Sequence, residues 1–217
     1  MYSLSKIGFL FDLDGVLIDS EKEYSRMWAQ INREYPTSEP SLESVIKGCT
    51  LDMILSRYYP DPDIKERVVS RLYALEEKME YNFLPGAFEL LNALQSRNIP
   101  LALVTSSNEK KMFHLDEEIP GLRQMFDFVV TADLISHSKP HPEGYLLGAE
   151  KIGVNPRNCV VFEDSLQGVK AGRNAGAYVV GVKGTIAPEL LSDFSDILVD
   201  SLKEIIIDDL AAILSDR

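Results

Sequence analysis

"IGFLFDLDGVLIDS" (residues 7–20) sets an apolar run against three aspartates. Residues 7–11 show no charge and no polar alternation, the pattern of a short strand buried on both faces. The run stops at Asp12-Leu13-Asp14-Gly15. Acids at the end of a buried strand are costly unless something there uses them.

Runs of the same kind, bounded by turn residues, recur at 100–105, 128–131, 159–162, 178–182 and 197–199. Amphipathic stretches such as 87–97, 143–152 and 166–175 lie between them. Strand alternating with helix predicts parallel pairing through helical crossovers, and so an α/β fold with a Rossmann-like doubly wound parallel sheet. The interval 20–83 breaks this alternation. It has helical patterning, as at 64–79, Pro and Gly punctuation and no buried strand, and reads as a helical cap domain inserted between the first two strands. The expected core is 1–19 with 84–217, and the expected cap is 20–83. Asp19-Ser20 and Leu84-Pro85-Gly86 form the hinges, and 201–214 fits a last helix over the sheet.

Composition narrows the class of partner. At 217 residues, 45% hydrophobic and 26% charged, the chain reads as a soluble globular protein able to bury a full core. Twenty-two Lys and Arg against 34 Asp and Glu give a net charge of −12, and no basic run offsets it, so nucleic acid is excluded as a partner. Residues 7–11 are too short for a signal or a membrane span, so no membrane partner is expected and a cytoplasmic monomer is the reading. Cys49 and Cys159 lack paired metal-type spacing and read as buried small hydrophobes, not a disulfide.

In an open parallel sheet, ligands bind outside the carboxyl ends of the strands. Four polar clusters fall at such ends or in the loops beyond them: Asp12-Leu13-Asp14-Gly15, Thr105-Ser106-Ser107-Asn108, Ser138-Lys139-Pro140 and Glu163-Asp164-Ser165. Two like charges about 4 Å apart repel by about 4 kcal/mol at an effective dielectric of about 20, so these acids need a counter-charge. An all-oxygen ligand set with few protein donors suits Mg²⁺, which leaves room for a phosphate oxygen. Lys139 adds a second positive charge, while Thr105, Ser106 and backbone N–H groups at the start of the next helix can cradle an anion. Together these describe phosphoryl transfer, in which an aspartate can attack phosphorus.

Taken in order, Asp12-Leu13-Asp14-Gly15-Val16-Leu17, Val104-Thr105-Ser106-Ser107, Ser138-Lys139-Pro140-His141-Pro142-Glu143 and Phe162-Glu163-Asp164-Ser165-Leu166-Gln167-Gly168 resemble the four motifs of the haloacid dehalogenase superfamily. The helical insertion directly after the first motif is similar to the β-phosphoglucomutase and sugar-phosphate phosphatase branch. That resemblance implies Asp12 as nucleophile and Asp14 as general acid and then base. It implies Thr105, Ser106 and Lys139 as phosphate ligands, with Lys139 also bridging to the nucleophile. Mg²⁺ would be held by Asp12, Asp164 and the backbone carbonyl of Asp14, with Glu163 as a direct or water-mediated ligand. Glu21, Lys47, Gly48 and Thr50 are the expected specificity residues.

The branch's mutase pattern has a His in the helix entering the cap and an Arg after a cap-loop Gly. Tyr24 and Leu51 stand there in this chain. Without an Arg to hold a bisphosphate's second phosphate, the expected activity is Mg²⁺-dependent hydrolysis of a small phosphorylated metabolite, a sugar phosphate, with phosphomutase as the alternative. A phosphorylated scaffold has no use for the long insertion, and carbon–halogen displacement needs neither Asp14 nor Mg²⁺.

Each feature alone has a plainer explanation. Asp12-x-Asp14-Gly15 can be a strand-end turn, Thr105-Ser106-Ser107-Asn108 a helix N-cap, Lys139 a solvated lysine and Glu163-Asp164 a helix-start pair. Four together, in order, favour the functional reading. Gly168, Gly172 and Gly176, every fourth residue, read as close packing of a helix on the sheet. His137 and His141 flank Lys139-Pro140 without further nitrogen or sulfur ligands, which argues against zinc.

Overall fold

The computed structural model describes residues 7–215; residues 1–6 and 216–217 of the expected core lie outside the described residues. Six parallel strands, β1 (Gly8–Phe11), β2 (Leu101–Val104), β3 (Phe128–Val130), β4 (Cys159–Glu163), β5 (Tyr178–Val182) and β6 (Ile197–Val199), form one sheet in the order β3-β2-β1-β4-β5-β6. The chain winds outward from β1 to β3, returns to β4 beside β1, and winds outward the other way. The switch point therefore lies between β1 and β4.

The helices are α1 (Glu21–Glu34), α2 (Leu42–Val45), α3 (Leu51–Tyr58), α4 (Pro62–Glu76), α5 (Ala87–Ser96), α6 (Glu109–Glu118), α7 (Glu143–Lys151), α8 (Leu166–Asn174), α9 (Pro188–Ser192) and α10 (Ile207–Ser215). Side chains alternate across a strand, so Phe9 and Phe11 join the apolar cluster with α5, α6 and α10, while Leu10 joins the other with α7, α8 and α9. Phe11 stacks on Phe162 of the neighbouring strand, ring centroids 4.5 Å apart, which fixes the β1–β4 register beneath the switch point.

Helices α1 to α4 fill the interval between β1 and α5. Asp61 starts α4 by accepting the Asp63 and Ile64 N–H groups, with Pro62 at the first helical position, so this helix begins two residues before the expected 64 and ends three before 79. The two connections run side by side: Asp19 N–H donates to the Asn82 carbonyl at 2.9 Å, Leu84 N–H to the Leu17 carbonyl at 2.8 Å, and Ile18 bridges Phe83 antiparallel. Trp28, Ile31, Leu55 and Leu72 of the insertion belong to the same apolar cluster as Phe9 and Phe11, so the core is continuous across this neck.

Two expectations need correction. The inner strands β1, β2, β4 and β5 are buried throughout, but β3 and β6 are not, because an edge strand lacks a neighbour on one side. The last helix starts at Ile207, not 201, because Ser201 and Glu204 form a capping box that closes a separate 3-10 turn at Leu202–Glu204. Both cysteines are free, with Cys159 buried and Cys49 partly so. Among the described residues no helix is long and apolar enough to cross a membrane.

Candidate active site

β1 ends at the switch point, and the Asp12 N–H donates to the Phe162 carbonyl of β4 at 3.0 Å. This places the Asp12 carboxylate beside the loop that follows β4. Lys139 arrives from the loop before α7, and its Nζ donates to Asp12 Oδ1 at 2.8 Å, Glu163 Oε1 at 2.5 Å and the Val104 carbonyl at 3.2 Å. Asp12, Lys139, Glu163 and Asp164 are all buried. Burial, aided by the Glu163 charge and opposed by Lys139, pushes the Asp12 carboxyl up to about 7. Burial also raises Asp164 well above its ordinary range, with Glu21 and Glu163 adding to the effect. For Lys139, burial works toward deprotonation, but the Asp12 and Glu163 charges outweigh it and hold the ammonium above its usual range.

Carboxylate oxygens of Asp12, Glu163 and Asp164 lie within 4.8 Å of one another, a set of buried hard donors with one lysine among them. These donors fit a divalent cation such as Mg²⁺. They are not equivalent. Glu163 Oε1 takes Lys139 and the Tyr145 hydroxyl, and its Oε2 takes the N–H groups of Asp164 and Ser165 and the Ser165 hydroxyl. With its acceptor positions filled by the protein, Glu163 braces Lys139, and Asp12 and Asp164 are the carboxylates left for a cation. Asp164 Oδ2 also accepts the Thr185 hydroxyl.

Gly15 allows this approach. Its φ is +75°, and a Cβ there would sit 1.9 Å from Asp164 Oδ2, so a side chain would push a candidate ligand away. The same turn carries the Asp14 carboxylate away from the other acids. Its carboxylate receives Lys111 Nζ at 2.8 and 2.6 Å, the Ser107 hydroxyl at 3.2 Å and the Ser20 hydroxyl. Among the described residues its backbone carbonyl accepts no backbone hydrogen bond.

A cleft opens over these groups. Asp12, Asp14, Asp164, Ser106 and Ser107 line it from the sheet side, and Glu21, Tyr24, Trp28, Lys47, Gly48 and Glu76 from the insertion. The insertion is seated on the sheet edge: the Ser106 hydroxyl donates to the Gly48 carbonyl at 2.9 Å, and Lys111 Nζ lies 4.1 Å from the Tyr24 ring centroid.

Glu21, Lys47 and Gly48 are thus brought to the cleft, with Lys47 paired to Glu21 at 2.6 Å. Thr50 is not: its hydroxyl caps α3 by accepting the Met53 N–H, and its side chain points elsewhere. Thr105 also lies below the lining, its hydroxyl accepting the Ser107 N–H at 3.0 Å. His137, His141 and Glu143 do gather at the surface, but the Glu143 carboxylate accepts the N–H groups of Ser136 and His137 and lies 2.8 Å from a His137 ring nitrogen, bracing the Lys139 loop.

Sequence reasoning missed Lys111, Glu76, Tyr145 and Thr185. Lys111 was within reach, because it lies three residues after the N-cap Asn108 on α6 and so faces back toward the strand ends.

A family model for haloacid dehalogenase-like hydrolases matches residues 9–182. The chain is a haloacid dehalogenase-like hydrolase. The hydrolase is 34% identical over 203 residues to hexitol phosphatase A of Escherichia coli strain K12, covering 91% of this chain and 92% of that protein. It is 33% identical over 204 residues to validoxylamine A 7'-phosphate phosphatase of Streptomyces hygroscopicus subsp. limoneus, covering 90% and 94%. Among solved structures, the β-phosphoglucomutase of Clostridium difficile is similar to the hydrolase with a TM-score of 0.79 and 27% identity, over 96% of this chain and 97% of that one.

Proposed function

We propose that the chain is a Mg²⁺-dependent phosphatase that hydrolyses a small phosphorylated metabolite, a sugar phosphate, through an aspartyl-phosphate intermediate. One observation carries this reading: two aspartates two residues apart share one cleft in opposite settings, Asp12 against Lys139 beside the other buried acids, Asp14 tethered by Lys111, Ser107 and Ser20. Asp12 and Asp164 would hold the cation, which when bound would supply positive charge against the phosphoryl oxygens. Asp12 attacks phosphorus while the bond to the leaving alkoxide breaks, and Asp14 delivers a proton to that oxygen. Asp14 then takes a proton from water as the water displaces Asp12 from phosphorus. Lys139, by its charge, and the Ser106 N–H hold the phosphoryl oxygens, and the insertion acts as a cap that keeps bulk water out of the first step.

The relatives named as phosphatases support hydrolysis. Tyr24 and Leu51 stand where the mutase pattern has His and Arg, and both line the cleft. Release of phosphate from p-nitrophenyl phosphate tests the reading. Turnover is expected with Mg²⁺, none with EDTA, and none for Asp12→Asn, whose melting curve stays cooperative; full activity in that variant removes Asp12 as nucleophile. A bisphosphate-dependent isomer product instead of free phosphate supports the mutase.

A further inference from the structure

The cap's share of the cleft contains three carboxylates with acceptor atoms unused among the described residues: Glu21, whose Oε2 takes Lys47 and whose Oε1 takes nothing, Glu43 and the more deeply buried Glu76. Glu76, in the last turn of α4, is 8% exposed; its Oε1 accepts the Tyr24 hydroxyl at 2.8 Å, and among the described residues no hydrogen bond reaches its Oε2. Glu43 of α2 lines the same cleft with no side-chain partner among the described residues. Both ammonium groups lining the cleft are occupied, Lys47 by Glu21 and Lys111 by Asp14, each at 2.6 Å. Among the described residues no arginine lines it, while Tyr24, Trp28 and Tyr73 supply flat walls suited to the C–H faces of a carbon ring or chain.

A carboxylate only accepts hydrogen bonds, so its ligand must bring a donor. In a partly dry cleft it also repels any second anion. The contact chain from Asp14 through Lys111 and the Tyr24 ring to Glu76 sets this carboxylate beyond the point where the leaving oxygen meets the general acid. Resting on the phosphatase reading, we infer that Glu76 is the specificity-determining residue of the cap: it accepts a hydrogen bond from a hydroxyl or ammonium group on the leaving alcohol and rejects alcohols that carry a second anion. Bisphosphates and phosphorylated sugar acids are therefore poor substrates, and phosphorylated polyols or amino sugars good ones.

Three esters of matched size test this: glucitol 6-phosphate, glucosamine 6-phosphate and 6-phosphogluconate. In the unmodified protein kcat/KM for 6-phosphogluconate is expected about tenfold or more below the other two, and Glu76→Gln narrows that gap about tenfold, chiefly through KM. Glutamine keeps the side-chain volume and can still accept from Tyr24, and a thermal melt checks the fold. An unchanged ratio in Glu76→Gln, or equal turnover of all three esters by the unmodified protein, overturns the inference. Calorimetry with free glucitol, glucosamine and gluconate tests it without turnover. Weaker binding of gluconate, relieved in Glu76→Gln, supports the inference, and binding of gluconate as tight as the others overturns it. Failure to hydrolyse p-nitrophenyl phosphate overturns the phosphatase reading instead.

Discussion

Asp14 shows how much of a residue's role is set by its neighbours. Three donor groups surround its carboxylate through four hydrogen bonds, and the general-acid role proposed for it requires one of them to give way when a proton passes to a leaving oxygen. Lys111 is the strongest of the three, a charge-assisted pair with both oxygens. Lys111→Met leaves Ser107 and Ser20 to orient Asp14, so kcat is expected to fall by about tenfold, against about 10²-fold or more for Asp14→Asn. Steady-state kinetics with p-nitrophenyl phosphate separates the two; equal losses would make Lys111 as essential as the acid itself. Asp12, Asp14, Lys139 and Asp164 were legible because their chemistry is concentrated at strand ends. Lys111 and Glu76 were not, since a lysine or glutamate on an amphipathic helix looks the same whether it faces solvent or a cleft.

Elements differ in what they ask of their end residues. Thr50 looks like a site residue in the sequence because it follows Lys47 and Gly48, but its hydroxyl serves the N-terminus of α3. Thr50→Ala is expected to lower stability by about 0.5–2 kcal/mol and leave kcat/KM unchanged, read from the denaturant midpoint and from turnover. Gly168 is the opposite case. A Cβ there would lie 1.8 Å from the Glu163 Cδ, so any side chain at this position forces the Glu163 carboxylate to move. Gly168→Ala is expected to displace the brace under Lys139 and abolish turnover while the chain still folds. The glycine spacing announced close packing, which holds for Gly168 and Gly172 but not for Gly176, which lies past the end of α8 at φ +82°; it did not announce that the partner of Gly168 was a carboxylate. The strands themselves could be read from their apolar runs, whereas the 3-10 turn at Leu202–Glu204 depends on a capping box that periodicity does not register.

For the whole molecule, the buried acids couple folding to metal and pH. The Asp12 carboxyl titrates at about 7 in the metal-free fold, against an ordinary 3.8. Between these values this group holds more protons in the folded state than in the unfolded one, so its contribution to metal-free stability falls as pH rises from about 4 to 7. A cation bound only by the folded protein opposes this, adding about 2.7 kcal/mol at a hundredfold excess over its Kd. Thermal melts are expected to show Mg²⁺ raising Tm by about 5–10 °C near neutral pH, a gap that shrinks toward pH 5 and vanishes in Asp164→Asn. The doubly wound order was readable from alternating runs, and the insertion from the place where alternation fails. The continuous apolar cluster through the neck was not, since it joins residues far apart in the chain. That neck has an evolutionary meaning. Residues 17–19 and 82–84 lie side by side like the two ends of a hairpin, so everything between them enters and leaves through one doorway. A segment with adjacent ends can be exchanged for another of different length without shifting either flank. On the phosphatase reading, an exchange at this one point would change the groups that meet the alcohol and leave those at the strand ends in place.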